Sequence, residues 1–400
     1  MSQLAIIADD LTGAADAAAP FAQAGFCTYL NLTPGMSPPA DVLAISTESR
    51  YLAPAAARGR VYQAVAPFSD ATWVFKKIDS TLRGQPGAEL DAVMDVLGVR
   101  QALVAPAFPD QGRTTVGGQQ RVNGLPLEKT PFACEVSTSD VALVLYRGLH
   151  RVVHLLDLAT VRRGVDAVCT AINGLGVYVA DAETDDDLIT LARAAVHSRL
   201  HLLCGSAGLS RALVNTLPLT RTPCPPVPAH HVVRPVLIVA GSRHPRTLRQ
   251  VYAACDDGAA LISPDADFAA DNRVLDHVVR MTADSLAGGR HTVLSTAAMA
   301  PSPLGGEAVA AALAQVVRCL ASPDRIGALI LTGGDVAAAI LSALEATALH
   351  LQGELESGIP WGVLVGGLLA GIPVVTKAGG FGDDDTLAEA VAFLTPVLNR

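Results

Sequence analysis

Residues Leu4–Ala14, with the sequence LAIIADDLTGA, decide the fold class of the N-terminal part of the chain. Five apolar residues come first, two aspartates follow, and an Ala-rich helical pattern then begins. An apolar run without alternating polar residues predicts a strand that is buried on both faces, as in a parallel sheet. A helix that follows directly would cover one of those faces.

The same alternation of short apolar runs and helical patterns continues along the chain. We predict two α/β domains with largely parallel sheets and a ligand cleft between them. The other predicted strands are Val42–Ile45, Trp73–Phe75, Ala102–Ala105, Val152–Leu156, Val177–Ala180, Leu200–Leu203, Val236–Ala240, Val293–Ser295, Ala328–Leu331 and Val374–Thr376. The predicted helices include Gly87–Leu97, Thr184–His197, Pro245–Ala254, Glu307–Leu320 and Val336–Leu344.

Chain length and proline content indicate where the domains separate. A chain of 400 residues exceeds the ~250–300 residues at which a single core stops growing. The stretch from Leu217 to Pro235 contains six prolines, and proline at this density disfavours both helix and central strand. We therefore predict an N-terminal domain at 1–216, a proline-rich linker at 217–232 and a C-terminal domain at 233–400.

Composition excludes several classes of function. The net charge of −9 argues against nucleic acid or an anionic membrane as a partner. The seven cysteines show no CxxC spacing, which disfavours a disulfide framework or a structural zinc site. The N-terminus lacks the basic segment of a signal peptide, and the longest apolar stretch, 362–375, is too short to span a bilayer. We expect a soluble cytoplasmic protein.

Two aspartates, Asp9 and Asp10, stand at the end of the first predicted strand, where ligands bind in parallel α/β domains. They could bind hydroxyl groups or a cation, or act as a base. A simpler alternative is that Asp10 or Thr12 caps the following helix.

A cationic segment follows the strand at Trp73–Phe75. The chain has only four lysines among its 29 basic residues, and two of them, Lys76 and Lys77, are adjacent here. Arginine and lysine together can bind a small carboxylate, so we predict an anion site that Arg50 could also join. The cationic segment could instead be a solvated charged turn, and Arg50 could instead be an ordinary surface arginine. The candidate binding residues of this segment are Lys77, Asp79, Ser80, Thr81, Leu82 and Arg83.

Three turns in the second half follow predicted strands and are rich in glycine or hydroxyl groups. Such turns expose backbone N–H groups to phosphate oxygens, so we predict a nucleotide site. The usual phosphate-loop and dinucleotide fingerprints are missing, which disfavours P-loop enzymes and ordinary dehydrogenases. The turns are Gly241–His244, Thr332–Asp335 and Lys377–Asp383, and the candidate contacts are Ser242, Thr332, Gly333, Gly334, Asp335, Lys377, Gly379, Gly380 and Gly382.

In their order and amino-acid sequence, these motifs resemble those of the four-carbon acid sugar kinase family, whose members phosphorylate tetronates such as threonate, erythronate or their oxo derivatives with ATP. The resemblance extends over nearly the whole chain, and DSTLRG at 79–84 and KAGGFG at 377–382 are its most specific parts. The other matching motifs are Ala8–Ala14, Ser46–Arg50, Lys76–Ile78, Pro106–Pro109, Gly112–Thr114, Val122–Gly124, Cys204–Leu209, Gly241–Ser242 and Thr332–Asp335.

The resemblance implies a sugar-acid-binding N-terminal domain and an ATP-binding C-terminal domain. The substrate site would include Asp9 or Asp10, Arg50 and the Asp79–Arg83 stretch. The ATP site would include Ser242, Gly333–Asp335 and Gly379–Gly380. Members of the family usually have an aspartate near the position of Glu135. This departure from the family pattern affects which tetronate is expected to be preferred.

As a mechanism we expect Arg83 and Lys77, with Arg50, to hold the substrate carboxylate while ATP and Mg²⁺ occupy the C-terminal turns. The catalytic base is either Asp10 or Asp383, and the residues do not decide between them. The metal ligands are not predicted. Alternative functions are a nicotinamide-dependent sugar-acid dehydrogenase and a non-catalytic sugar-acid sensor. The expected partners are the sugar acid and ATP, with a homo-oligomer possible.

Overall fold

A computed structural model describes residues 2–33, 38–68, 71–226, 234–265, 267–299, 302 and 304–395. The chain divides into two compact units, and each is described by itself. The first unit comprises Met1–Thr28 and Pro39–Pro223, and the second comprises Tyr29–Pro38 and Cys224–Arg400. The predicted linker at 217–232 lies partly outside the described residues, so its bounds stay a prediction.

The first unit is built on a seven-stranded parallel sheet with the order β3-β1-β4-β11-β5-β10-β9. A separate antiparallel sheet has the order β6-β7-β8. Strands are numbered along the whole chain; those of this unit are β1 (Leu4–Ala8), β3 (Val42–Ser46), β4 (Trp73–Lys77), β5 (Gln101–Ala105), β6 (Arg113–Val116), β7 (Gln119–Val122), β8 (Leu125–Pro126), β9 (Val153–Leu156), β10 (Gly176–Ala180) and β11 (Leu202–Gly205).

The helices of the first unit pack in two groups, as expected for a parallel sheet that is covered on both faces. One group contains α1, α8, α7, α6 and α5, and the other contains α2, α3 and α4. They are α1 (Leu11–Gln23), α2 (Pro54–Val65), α3 (Pro86–Leu97), α4 (Val141–Tyr146), α5 (Leu158–Arg162), α6 (Val165–Ala171), α7 (Asp185–His197) and α8 (Ala207–Val214).

The second unit contains five parallel strands in the order β13-β14-β12-β15-β18, followed by antiparallel β17 and β16. Residues Tyr29–Asn31 of β2 (Thr28–Asn31) pair antiparallel with β16. The other strands are β12 (Val236–Ala240), β13 (Ala260–Ile262), β14 (Thr292–Ser295), β15 (Ala328–Thr332), β16 (Ala348–Glu354), β17 (Pro360–Val365) and β18 (Pro373–Lys377). The helices are α9 (Pro245–Asp256), α10 (Asn272–Ala287), α11 (Gly305–Leu320), α12 (Gly334–Ala343) and α13 (Thr386–Leu394).

The predicted fold class, two α/β domains with largely parallel sheets, is confirmed. All the predicted strands are present within a few residues of their expected bounds, and every residue of β1, β10, β12, β15 and β18 is buried. The antiparallel strands β2, β6–β8, β16 and β17 and the short parallel strand β13 were not among the predictions. In the part of the chain that the structure describes, no helix has the length and apolar character needed to cross a membrane.

Candidate active site

Neighbouring strands of the first unit bring the predicted acidic and cationic residues together. Strand β1 lies between β3 and β4, with Ala8 opposite both Ser46 and Lys77. All three strands run in the same direction, so the segments that follow them meet at one edge of the sheet. These segments carry Asp9 and Asp10 after β1, Arg50 after β3, and the Asp79–Arg83 turn after β4.

Arg50 joins the two aspartates. Its Nε and Nη2 donate to the carboxylate oxygens of Asp9 at 2.8 and 2.9 Å, and its Nη1 donates to Asp10 Oδ2 at 2.7 Å. Burial alone would raise the pKa of Asp9, but the Arg50 guanidinium overrides this effect and lowers that pKa below its usual value. Asp9 is therefore ionised and held in one orientation.

Asp79 and Arg83 form a second pair across one turn. Arg83 donates through Nε and Nη2 to the two oxygens of Asp79 at 2.9 and 3.0 Å, and the Thr81 backbone N–H donates to Asp79 Oδ2 at 3.1 Å. Burial opposes ionisation of Asp79, but the Arg83 and Arg50 guanidinium groups together hold its pKa well below the ordinary value. Leu82 has a φ of 62°, a left-handed conformation that non-glycine residues rarely adopt.

The rest of the turn is held by its neighbours. Thr81 Oγ1 donates to Asp79, the Ser80 carbonyl accepts from Gln120 Nε2 at 2.6 Å, and Ser80 itself is 8% exposed. The Arg83 guanidinium also lies 5.6 Å above the ring of Phe132 and 3.8 Å from a Glu135 oxygen. The Glu135 side chain, at which the sequence departs from the family pattern, thus faces the same arginine as Asp79.

Asp10 also caps a helix, as the simpler alternative from the sequence suggested. Its Oδ1 accepts from the Gly13 N–H at 2.9 Å, and its Oδ2 accepts from Thr12 Oγ1 at 2.8 Å. With the Arg50 bond, both oxygens of Asp10 are engaged. A carboxylate bonded in this way is positioned to orient neighbouring groups more readily than to accept a proton.

The two adjacent lysines have different environments. Lys76 is fully buried and pairs with Glu89 of α3 at 2.8 Å. Lys77 points to the opposite face, where a methyl group at Gly13 of α1 would lie 2.9 Å from its Nζ. Lys77 is 5% exposed, yet its Nζ makes no hydrogen bond or ion pair with any residue that the structure describes. An unpaired ammonium in a buried position is costly, so an anion bound beside it would stabilise it.

Asp16 of α1 is a further buried acid, and the sequence reasoning missed it. It is 6% exposed, and its Oδ1 accepts no hydrogen bond from the described residues. Burial raises its pKa to about 6, against the opposing effect of Lys77. An aspartate within the apolar run Ala14–Phe21 was the signal that could have identified it.

In the second unit the three predicted turns lie side by side, because β12, β15 and β18 are neighbours in the sheet. Ala240 is opposite Thr332, and Thr332 is opposite Lys377. Gly333 has a φ of 103° and packs against the Ser242 backbone, while a Cβ at Gly379 would collide with Ser242 Oγ. At Gly379 the turns thus approach each other more closely than a side chain would allow.

The turn after β18 is held from its carbonyl side by Lys377 and by α9. Lys377 donates to the Ala378 and Gly379 carbonyls at 3.1 and 3.4 Å. Arg246 Nη1 donates to the Gly380 and Gly382 carbonyls at 3.0 and 2.9 Å. Arg246 was not predicted. Burial, assisted by the Arg246 charge, lowers the pKa of Lys377 to about 7.

The remaining predicted residues of this unit lie at the same edge of the sheet. Gly334 and Asp335 begin α12, and Asp383 follows the third turn, where its Oδ1 accepts from the Asp385 N–H at 3.0 Å. Carboxylate oxygens of Glu356, Asp383 and Glu389 lie within 4.8 Å of one another. Hard oxygen donors of this kind suit Mg²⁺.

Comparisons with known proteins agree with this division of roles. Residues 4–213 match the family model of a sugar-binding N-terminal domain, and residues 237–387 match that of a nucleotide-binding C-terminal domain. The D-threonate kinase of Salmonella typhimurium is 37% identical, with 98% of each chain covered. The D-erythronate kinase of Heliobacterium modesticaldum is 33% identical, covering 98% of this chain and 97% of the relative.

The fold also matches a solved structure. A Salmonella typhimurium protein described as a putative tRNA synthase superimposes with a TM-score of 0.81 at 21% identity, covering 97% of this chain and 98% of that one. At this identity the match shows the fold alone. The relatives support neither the dehydrogenase nor the sensor alternative. From the two domain models and the full-length similarity to the curated kinases, the chain belongs to the four-carbon acid sugar kinase family.

Proposed function

We propose that the protein transfers the γ-phosphoryl group of ATP to the terminal (4-) hydroxyl of a four-carbon sugar acid such as threonate or erythronate. The observation that carries the proposal is Lys77, a buried ammonium without a partner among the described residues, beside a cluster of ionised aspartates. Such a site provides charge for a carboxylate and acceptors for hydroxyl groups. Kinase relatives named for threonate and erythronate support this choice of substrate class.

Lys77 supplies the charge that the substrate carboxylate needs. Arg50 and Arg83 are already paired with Asp9, Asp10 and Asp79, so their charge is largely neutralised within the cluster. Arginine has five N–H donors, and Arg83 directs only two side-chain bonds to Asp79, so it retains donors for a substrate oxygen. In this proposal Lys77 attracts the anion, and the arginines orient it.

The aspartates would bind the substrate hydroxyl groups. Asp9, held ionised by Arg50, keeps acceptor lone pairs beyond those used by the guanidinium, whereas Asp79, held ionised by Arg83 and Arg50, keeps one only on Oδ1, because its Oδ2 already accepts from Thr81 and Arg83. Ser80, in the same turn, offers a hydroxyl group. A rigid set of acceptors distinguishes hydroxyl stereoisomers because a misplaced hydroxyl leaves a buried acceptor without its donor.

The glycine-rich turns of the second unit would hold ATP. The Gly333 N–H donates to the Lys377 carbonyl at 3.0 Å and so fixes the turns against each other, and the backbone N–H groups of Ser242 and Gly379 would provide the phosphate contacts. Magnesium, when bound with the phosphates, would neutralise their charge. Glu356, Asp383 and Glu389 are the described carboxylates whose grouping fits such an ion.

The test is an ADP-release assay with ATP and a panel of D- and L-threonate, D- and L-erythronate and 3-oxo-tetronate, using glycerate as a three-carbon control. We expect ADP release that depends on one or two of the four-carbon acids and is much slower with glycerate. An absence of sugar-acid-dependent ADP release across the whole panel would contradict the proposed function.

A further inference from the structure

The turn at 378–383, which follows β18, has all its backbone carbonyls held by side chains. The Ala378 carbonyl accepts from Lys377 Nζ at 3.1 Å, and every carbonyl from Gly379 to Asp383 accepts from a side chain of helix α9. Water can satisfy the carbonyls of a turn at a protein surface, so protein donors to six carbonyls in succession are more than hydrogen-bond satisfaction requires. The turn is fixed along its whole length.

Three side chains of α9 provide these bonds. They lie on one face of the helix, because Gln250 comes three residues after Thr247 and four after Arg246. Thr247 and Gln250 are fully buried. The bonds run from Thr247 Oγ1 to the carbonyl of Gly379 at 2.9 Å, from Arg246 Nη1 to those of Gly380 and Gly382 at 3.0 and 2.9 Å, and from Gln250 Nε2 to those of Phe381 and Asp383.

The fixed carbonyls also set the direction of the backbone N–H groups. In a trans peptide the C=O and N–H bonds point in opposite directions. The Gly379 carbonyl faces Thr247, so the N–H of Gly380 points away from α9. The Ala378 carbonyl faces Lys377 Nζ, so the N–H of Gly379 points away from that ammonium. Within the described residues, neither N–H group donates to another group, and adjacent N–H groups of this kind suit an anionic oxygen.

Glycine makes this turn dependent on its neighbours. Residues 379, 380 and 382 are glycines, whose backbone can adopt many more conformations than that of other residues. If the peptide groups rotated, their carbonyl oxygens would turn towards the space where we expect the phosphates and would repel them. The donors on α9 oppose this rotation, since each carbonyl that they hold would lose its hydrogen bond.

We propose that Arg246, Thr247 and Gln250 are positioning residues of the nucleotide site, a role that rests on the proposed function. They hold the peptide groups of the turn so that the N–H groups of Gly379 and Gly380 face the phosphates of ATP. They act through the backbone, so their removal weakens phosphate binding although the N–H groups themselves remain. Thr247 and Gln250 provide the sharper test, because Arg246 carries a charge that would attract phosphate in its own right.

The experiment measures Kd by calorimetric titration for ATP and for inorganic tripolyphosphate, which presents phosphate groups without the nucleoside. Thr247→Val keeps the shape of the side chain and removes its donor, and Gln250→Met likewise removes the amide. We expect Kd for both ligands to rise by about three- to tenfold in either variant, because hydrogen bonds that orient the turn are lost. Kd for the sugar acid should keep its wild-type value, and KM for ATP should rise by a larger factor than kcat falls.

Two further variants serve as controls. Thr282→Val makes the same substitution at a buried threonine of α10, whose hydroxyl donates to the Val278 carbonyl of its own helix at 2.7 Å. This variant should bind ATP and tripolyphosphate as the wild type does. Thr247→Ser keeps the hydroxyl donor and should retain most of the wild-type affinity. Urea unfolding establishes that each variant is folded.

Wild-type Kd values for ATP and tripolyphosphate in Thr247→Val and Gln250→Met would overturn the proposal. An equal loss of affinity in Thr282→Val, an equal rise in Kd for the sugar acid, or a Thr247→Ser variant as weak as Thr247→Val would also overturn it. Gln250→Met keeps the test decisive if Thr247→Val does not fold. Failure of the proposed function is distinct, because the wild type itself would then release no ADP with any of the sugar acids.

Discussion

Replacing either of the adjacent lysines Lys76 and Lys77 with methionine should have opposite consequences for stability and for binding. Methionine keeps most of the length and apolar volume of lysine but removes the charge. Lys76 is fully buried against Glu89 at 2.8 Å, whereas Lys77 has no ion pair among the described residues. The pair therefore separates a cation that holds the fold together from one that is kept for a ligand.

For Lys76→Met the expected cost is in folding. Removing one partner of a buried ion pair leaves the other charge uncompensated, which typically costs about 3–5 kcal/mol of unfolding free energy. Glu89 is 1% exposed, so solvent cannot replace the lost ammonium. Adding Glu89→Gln to this variant should recover much of the loss, since the unpaired carboxylate is then removed.

For Lys77→Met the expected cost is in binding. A hydrogen bond to a charged group contributes about 1.5–3 kcal/mol. At about 1.4 kcal/mol per tenfold change, Kd for the sugar acid should therefore rise by about tenfold to about 150-fold. Unfolding free energy should change far less than in Lys76→Met, because no direct ion pair is broken.

Urea unfolding and calorimetric titration with the sugar acid measure the two effects separately. The reasoning would be refuted if Lys77→Met bound the sugar acid with wild-type affinity. It would also be refuted if Lys77→Met were as destabilised as Lys76→Met. Either result would show that Lys77 does not hold an uncompensated charge for the substrate.

Three further predictions concern the other buried groups. Burial lowers the pKa of Lys377 to about 7, and phosphate bound nearby should raise it again. The binding of ATP at about pH 8 should therefore be accompanied by the uptake of close to one proton. Titrations in buffers of different ionisation enthalpy measure this uptake, and Lys377→Met should abolish it. Gly379→Ala should weaken ATP binding at least tenfold while leaving sugar-acid binding unchanged, because the new Cβ collides with Ser242 Oγ. The control is Gly306→Ala, where an added Cβ meets no other atom. Equal ATP affinity in the two variants would refute the expectation. Asp16→Asn should stabilise the protein at pH 7 by about 2–3 kcal/mol. Burial raises the pKa of Asp16 from 3.8 to about 6, which destabilises the folded state increasingly above pH 3.8 and fully above pH 6. Urea unfolding should show the gain at pH 7 and not at pH 4, and a gain of the same size at both pH values would contradict this origin.

The sequence predicted the strand ends well because a parallel α/β pattern fixes where polar side chains can stand. Asp9, Arg50 and Asp79 were each expected beyond a strand, and the structure places them in one cluster through β3, β1 and β4. The order of those strands in the sheet could not be read from the sequence, since more than thirty residues separate β1 from each of its neighbours, β3 and β4. The expectation that they share one site rested on the resemblance and on their common position after strands.

The different environments of the two lysines follow from the length of strand β4. The predicted strand ended at Phe75, whereas β4 continues to Lys77. Side chains of a strand alternate between faces, so a longer strand places Lys76 and Lys77 on opposite sides. Asp16 was missed for a different reason: its importance comes from the donor it lacks, and missing partners are visible only in three dimensions.

The most direct test of the central claim is the identity of the phosphorylated product. Wild-type protein is incubated with ATP, Mg²⁺ and the tetronate that gives the fastest ADP release, and the product is examined by proton-coupled phosphorus NMR. Transfer to the terminal hydroxyl predicts a phosphate triplet, because the phosphorus couples to the two protons of the terminal carbon. A doublet, which reports phosphate on a secondary hydroxyl, or the absence of a sugar-acid phosphate would contradict the account.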